Sequence, residues 1–330
     1  MRWRTEVLTT GQVLFHELQP CSAVIWCGLY EALLRRVAAL QVSVDFKKHV
    51  VGYSQKDNTV SIHFADGSME SGDVLIVADG AASKLRSQML QEISYSRSDR
   101  LQYRGYTAWR GVLPRTHHAY ADMFAKLSEK YAKFGNVLCF ELGPTPGAHA
   151  VVYVLGDSSI NWLFYINQHN GVPMCGEHML TRTPTDLELQ SLYAFLAQHW
   201  HAEFLALVRA TEIIIINDIY DRDPIPIFVS GHVALLGDAA HAITPHAGMG
   251  ANLAIQDAFE LAQQLQVALS RIGMRASDRA ASLRRQLVRY SELRRPITTH
   301  TQRLSRHYGH LRQGLYGVFT LPEEYAHVSS

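Results

Sequence analysis

The chain has 330 residues, 47% of them hydrophobic and 18% charged, with a formal net charge of +1. That balance suits a globular protein of about two domains and excludes a disordered chain. It offers no electrostatic basis for nucleic-acid binding, and no apolar run nears the roughly 18–20 residues that span a bilayer.

The N-terminus, Met1 to Glu6, lacks the apolar core of a signal peptide. The cysteines stand at 21, 27, 139 and 175, with no Cys-x-x-Cys pair. This reads as reduced thiols in a cytoplasmic protein, with neither a zinc site nor stable membrane insertion.

Residues 6–24 read as a hairpin around Thr9-Thr10-Gly11. Leu29, Leu33, Leu34 and Val37 mark one face of a helix ending near Leu40. Strands are expected at 42–46, 50–54 and 59–64, with a tight turn at Asp66-Gly67. A buried, Val/Ile-rich strand over 73–78 runs into Asp79-Gly80. The segments 106–112, 137–141, 150–155 and 161–166 are rich in strand formers and suggest an antiparallel sheet. Residues 185–210 look helical, and 213–220 read as a strand. A buried strand over 232–236 ends at Gly237-Asp238. Helices are expected over about 250–270 and 276–294, with a break or kink at Pro296 before a last helix.

This order implies a mixed α/β (α+β) fold. A nucleotide-binding domain occupies 1–94 and 226–300, a substrate-facing sheet is inserted at 95–225, and a helical tail covers 301–330. The small basic clusters Arg284-Arg285 and Arg294-Arg295 read as solvated helix faces.

The chemistry concentrates after residue 236. Open α/β sheets bind ligands at the carboxyl ends of their strands. A carboxylate there, Asp238 after Gly237, can accept hydrogen bonds from sugar or ribityl hydroxyls. Pro245-His246-Ala247-Gly248-Met249-Gly250-Ala251-Asn252 then opens a helix. Its glycines let the backbone approach a flat ligand, and its first amides point outward at the positive end of the helix dipole. That suits the N1–C2=O edge of a flavin, which becomes anionic on reduction. Asp257-Ala258 lies further along the same helix.

The string Gly237-Asp238-Ala-Ala-His241, Pro245, Gly248-x-Gly250-x-Asn252 resembles the FAD-dependent aromatic-ring monooxygenases typified by p-hydroxybenzoate and salicylate hydroxylases. The resemblance implies that Gly237-Asp238 meets the ribityl chain and that Gly248, Met249, Gly250, Ala251 and Asn252 approach the isoalloxazine. Asp79-Gly80-x-x-Ser83-x-x-Arg86 resembles the same family's Asp-Gly motif, which helps hold the FAD pyrophosphate and is implicated in NAD(P)H binding. Physically, Asp79 can order a turn, Ser83 can cap a helix, and Arg86 can pair with a phosphate or a carboxylate. Tyr106 to Gly111 and Asn161 to Tyr165 resemble the substrate-domain strands of the 2,6-dihydroxypyridine hydroxylase-like subgroup. Tyr290 to Pro296 resembles the close of the FAD domain.

Two departures stand out. Trp26 occupies the place where many members carry an FAD-contacting arginine. The Gly-x-Gly-x-x-Gly loop that grips the ADP half of FAD has no counterpart before residue 73. The FAD-binding domain is therefore expected to be incomplete at its front, through a chain cut short or a degenerate form.

The resemblance implies hydroxylation of a small aromatic or heteroaromatic molecule, using FAD, NADH or NADPH, and O2, through a C4a-hydroperoxyflavin. A homodimer is a candidate assembly. His246 is one possible polar group near the ring, with a structural role as its equal alternative, and no residue stands out as a catalytic base. A flavin epoxidase, a reductase and a non-catalytic flavoprotein-like fragment remain alternatives.

Overall fold

The computed structural model describes residues 2–8, 12–19, 22–97, 99–131, 133–143, 147–168, 171–175, 180–270 and 275–314. In chain order the elements begin with β1 (Arg2–Leu8), β2 (Val13–Gln19), α1 (Trp26–Ala39), β3 (Val50–Lys56), β4 (Thr59–Phe64), β5 (Met69–Gly72), β6 (Leu75–Val77) and α2 (Lys84–Glu92). Then come β7 (Gln102–Leu113), α3 (Tyr120–Lys130), β8 (Val137–Leu142), β9 (Ala148–Val154), β10 (Ile160–Asn167) and β11 (Thr181–Arg182). The chain continues through α4 (Asp186–His199), α5 (Ala202–Arg209), β12 (Ile214–Asp221), β13 (Val229–Ser230), β14 (Val233–Leu235), α6 (Asp238–His241), α7 (Gly250–Leu269) and α8 (Ala276–Arg312).

These elements form two compact units. One comprises Met1–Val44, Gly105–Ile219 and His310–Ser330; the other comprises Asp45–Arg104 and Tyr220–Gly309. The sequence places the boundaries instead at 94, 225 and 300. The difference at the front has a physical cause. β1 pairs with β2 and, in parallel, with β8, with Trp3 opposite Val137. β1 and β2 thus complete the sheet of the first unit.

That sheet has eight strands in the order β11-β12-β7-β10-β9-β8-β1-β2. The expected antiparallel pattern holds at β7–β10, β10–β9 and β9–β8. The β1–β8 pair is parallel, so the sheet is mixed. Alternation sends Trp162, Phe164 and Val152 to one face, where they pack with Leu196, Phe204 and Leu207 of α4 and α5. Tyr106, Phe140, Val151 and Tyr165 line the other face. There the Arg312 guanidinium lies 4.2 Å from the Phe140 ring centre and donates to Glu6 at 2.9 Å.

The second unit holds a meander, β3-β4-β5, and a three-stranded sheet, β13-β14-β6. Its core joins Val77, Leu85, Met89, Val233, Leu235 and Tyr290. β6 and β14 are parallel and in register, with Leu75 opposite Val233 and Val77 opposite Leu235.

Four expectations change. Residues 42–46 form no strand; their apolar side chains are exposed and no neighbouring strand pairs with them. The helical stretch 185–210 is two helices, because the chain turns extended at Trp200 and His201. α3 stands inside a region that reads as all strand. Pro296 does not end its helix, since α8 runs on through it. Glu292 and Pro296 both lie on the exposed face, where water can take the carbonyl that proline leaves unpaired. The turn of the hairpin, Thr9-Thr10-Gly11, lies outside the described residues.

α4 starts with a capping box. Thr185 accepts from the Glu188 amide, and the Glu188 carboxylate accepts from the Thr185 amide at 2.8 Å and from Arg182 at 2.5 Å. The Arg182 hydrogen bond first, then those from Thr185, hold the Glu188 carboxyl down at about 2. A carboxyl with a lowered folded value stabilises the fold above its unfolded value and loses that contribution as pH falls. At pH 6 Glu188→Gln is therefore expected to cost about 1 kcal/mol. Urea denaturation of both proteins should show this gap shrinking as pH drops from about 4.5 toward 2. A gap independent of pH would refute the assignment.

Candidate functional site

The in-register pairing of β6 with β14 decides the geometry. Asp79-Gly80 begins two residues after Val77, and Gly237-Asp238 begins two residues after Leu235. The Leu236 amide donates to the Val77 carbonyl at 2.9 Å, carrying the ladder to the strand ends. Two motifs far apart in sequence therefore emerge side by side, at the carboxyl ends of neighbouring parallel strands.

Each motif turns on a glycine. Gly80 has φ +86° and open space where a side chain would begin. Gly237 has φ +61° and ψ −140°, a region that belongs almost entirely to glycine. A Cβ at Gly237 would also stand 3.2 Å from the Cβ of Ala254. This turn starts α6 with Asp238 as its first residue, its side chain exposed. Protein packed around Asp238 removes enough water to push its carboxyl above the ordinary value, and nearby His241 opposes this. Asp79 is also exposed.

The third part is the loop into α7. Pro245–Ala247 form a 3-10 turn, and Gly248 ends it in the left-handed region at φ +63°, with open space beside it. Ser305 of α8 braces the loop. Its hydroxyl donates to the Thr244 carbonyl at 2.5 Å and accepts from the Ala247 amide at 3.1 Å. Met249 caps α7, and the first intrahelical bond runs from Leu253 to Met249 at 2.9 Å. The amides of Gly250, Ala251 and Asn252 precede that bond, so no helical carbonyl can accept them. Ala251 and Asn252 are exposed, as is Pro245, while His246 is buried within the 3-10 turn.

Arg86 has partners inside the protein. Only 1% exposed, it donates through Nε to Asp99 at 2.6 Å and through Nη1 to the carbonyls of Ala239 at 3.0 Å and Ala240 at 2.6 Å. Arg222 shares Asp99 and donates through Nε to the Ala81 carbonyl at 2.9 Å. Ser87 adds a hydrogen bond to Asp99 at 2.9 Å. Two guanidiniums thus clasp the Asp79–Ala82 turn to α6 across one carboxylate. Of the two partners that the sequence allows Arg86, the structure supplies the carboxylate. Burial of its guanidinium lowers its pKa, against the raising effect of Asp99. Ser83 caps α2 as expected, accepting from the Arg86 amide at 3.0 Å.

Asp99, Arg222 and Ser305 escaped sequence analysis. No glycine pattern or strand end flags them; each acts through one partner made close by folding. The histidine pair 117–118 lines a separate concavity in the sheet unit with Pro114, Thr116 and Glu212, 3.7 Å from His117 to Glu212. Among the described residues no group of three or more His, Cys, Asp or Glu side chains is placed to hold a metal ion.

The arrangement fits a flavin nucleotide. It has an exposed carboxylate for hydroxyl donors, three outward amides at the start of a 20-residue helix for an electron-rich carbonyl edge, and side-chain-free space at Gly80 and Gly248. Gly237→Ala is expected to lower stability by about 1–3 kcal/mol, through the strained φ and the contact with Ala254. Guanidinium denaturation measures it; a loss below a few tenths would contradict this backbone geometry.

A family model described as FAD binding domain matches residues 224–299. The 6-hydroxynicotinate 3-monooxygenase of Bordetella bronchiseptica is 29% identical over 232 residues, 70% of this chain and 54% of that protein. A salicylate hydroxylase substrate complex superposes with a TM-score of 0.69 at 27% identity, covering 87% of this chain and 66% of the other. For 2,6-dihydroxypyridine-3-hydroxylase from Arthrobacter nicotinovorans the TM-score is 0.73 at 21% identity, over 98% of this chain and 78% of that one, which is a likeness of fold. The chain spans about half the length of the curated relatives it matches. Over the residues it shares with them, this chain is similar to FAD-dependent aromatic-ring monooxygenases, and its residues 224–299 match the FAD binding domain.

Proposed function

We propose that the chain binds FAD and serves a monooxygenase that hydroxylates a small aromatic or heteroaromatic molecule with NADH or NADPH and O2. The observation that carries this reading is that Asp79-Gly80 and Gly237-Asp238 leave the carboxyl ends of the paired strands β6 and β14 side by side, with Ala254 of the first turns of α7 against Gly237. Bound FAD would supply the electron transfer from NAD(P)H to O2. The protein's own part is to hold and polarise it. Asp238 accepts from ribityl hydroxyls. The amides of Gly250, Ala251 and Asn252 would hold the pyrimidine edge and favour negative charge there. Gly248 and Met249 let the backbone lie against the ring, and Pro245 with buried His246 shapes the turn before it. Asp79 and Gly80 form the neighbouring turn, and Arg86 supports it from behind. The eight-stranded sheet unit takes the substrate-facing role. A cytoplasmic location and a homodimer accompany the reading; sedimentation velocity tests the dimer, and a monomer at micromolar concentration counts against it.

The first test is uptake of FAD by the purified chain, read by flavin absorbance and fluorescence. A colourless chain that binds none sinks the reading. With FAD bound, 18O2 labelling of the product separates hydroxylation, which incorporates one atom, from reductase chemistry, which incorporates none.

Asp238→Asn gives a sharper check. Protein packed around Asp238 makes its charged form costly in the free chain, and a folded value raised above the unfolded one means stability lost as pH rises. The amide is therefore expected to leave stability at pH 7 equal or higher while FAD affinity falls by about 10–100-fold. Unchanged affinity would remove the ribityl role.

A further inference from the structure

The sequence also marks Asp257, to which the flavin contacts assign no task. It lies seven residues beyond Gly250, about two turns into α7. Its side chain is fully buried. Oδ2 accepts from the Gly237 amide at 3.1 Å and from His241 Nε2 at 2.5 Å. A carboxylate only accepts, so His241 Nε2 carries the proton. Oδ1 accepts from Arg294 Nε of α8 at 2.7 Å. Arg294 also reaches back to the Leu253 carbonyl of α7 at 3.4 Å.

Gly237 and His241 are the two ends of α6: the residue before its start and its last residue. One buried carboxylate therefore holds both ends of the four-residue helix that presents Asp238. The same carboxylate is rooted in the helix whose first amides face outward at Gly250 to Asn252. A buried ion is a costly way to fill a core; an apolar side chain of similar volume would fill the space as well or better. What the ion adds is direction, with three donors, from both ends of α6 and from α8, fixed on two oxygens. Burial alone would raise the Asp257 carboxyl. The donors, His241 foremost, hold it below its ordinary value, so it is ionised throughout the neutral range.

We infer that Asp257 is a positioning residue, fixing the Gly237-Asp238 turn relative to the amino end of α7 through the Gly237 amide, His241 and Arg294, and so setting the span between two contacts to one flavin. This rests on the proposed FAD reading for its consequence, though not for its geometry.

The test uses the full chain with Asp257→Asn, which keeps shape but replaces one acceptor oxygen with a donor. Hydrogen exchange of the ligand-free protein should show peptides over 236–253 exchanging about tenfold faster, with those over 148–167 unchanged. FAD titration, followed by flavin fluorescence, should show affinity reduced at least about tenfold, with an altered absorption band for the bound flavin. A core ion pair without a positioning role would lower stability but leave both the affinity of the folded protein and the band where they were.

His241→Gln and His241→Ala keep the test decisive if Asp257→Asn does not fold. Glutamine can place a donor near the position of Nε2 and should restore most of the affinity that alanine loses. Equal affinity in the parent and either carboxylate or alanine variant overturns the inference. Equal exchange over 236–253 does so too. A parent chain that takes up no FAD defeats the flavin reading instead, and the exchange measurement still decides the coupling.

Discussion

The parallel, in-register pair β6–β14 is the constraint on which the rest of the site depends. Each strand has only three residues; all three of β14 are buried, while β6 buries Val77 among α2 and α8 side chains and leaves Ile76 exposed. A parallel pair sends both strand ends the same way. Asp79-Gly80 and Gly237-Asp238 consequently meet although 157 residues separate Gly80 from Gly237. A slip of one residue would carry Gly237-Asp238 out of line with Asp79-Gly80.

Strand ends alone do not hold loops, and the structure adds two charged clasps behind them. Asp99 with Arg86 and Arg222 joins the first turn to the carbonyls of α6. Asp257 with His241 and Arg294 joins α6 to α7 and α8. Both clasps are buried, so their strength lies in complete pairing: removing one partner strands the others in a medium that cannot solvate them. The exposed polar group between them is Asp238, which pays in solvation for remaining open to a ligand.

Legibility in the sequence followed the range of the interaction. Asp79-Gly80, Gly237-Asp238 and Gly248-x-Gly250 could be read because turn chemistry and helix starts are local, and because a flavin-binding string is dense in glycine. Arg86 could be read only as a choice between phosphate and carboxylate, since nothing near it in sequence names Asp99. Val42, Val44 and Phe46 alternate like a strand and form none, because a strand exists only where a neighbour accepts its hydrogen bonds. Pro296 reads as a break or kink before a last helix, yet one helix, α8, runs through it, because its exposed position lets water take the one carbonyl left unpaired.

The sequence by itself determined the elements that depend on near neighbours. These are the strands before each motif, the glycines that permit left-handed turns, the helix start at α7 and, through their combination, the resemblance to FAD-dependent monooxygenases. Tertiary structure alone decided the partners: β1 with β8, β6 with β14, Arg86 with Asp99, and Asp257 with Gly237, His241 and Arg294. The reason is physical. Backbone preference acts over a few residues, whereas a buried charge or a sheet edge is satisfied by whichever complementary group the folded chain brings within about 3 Å.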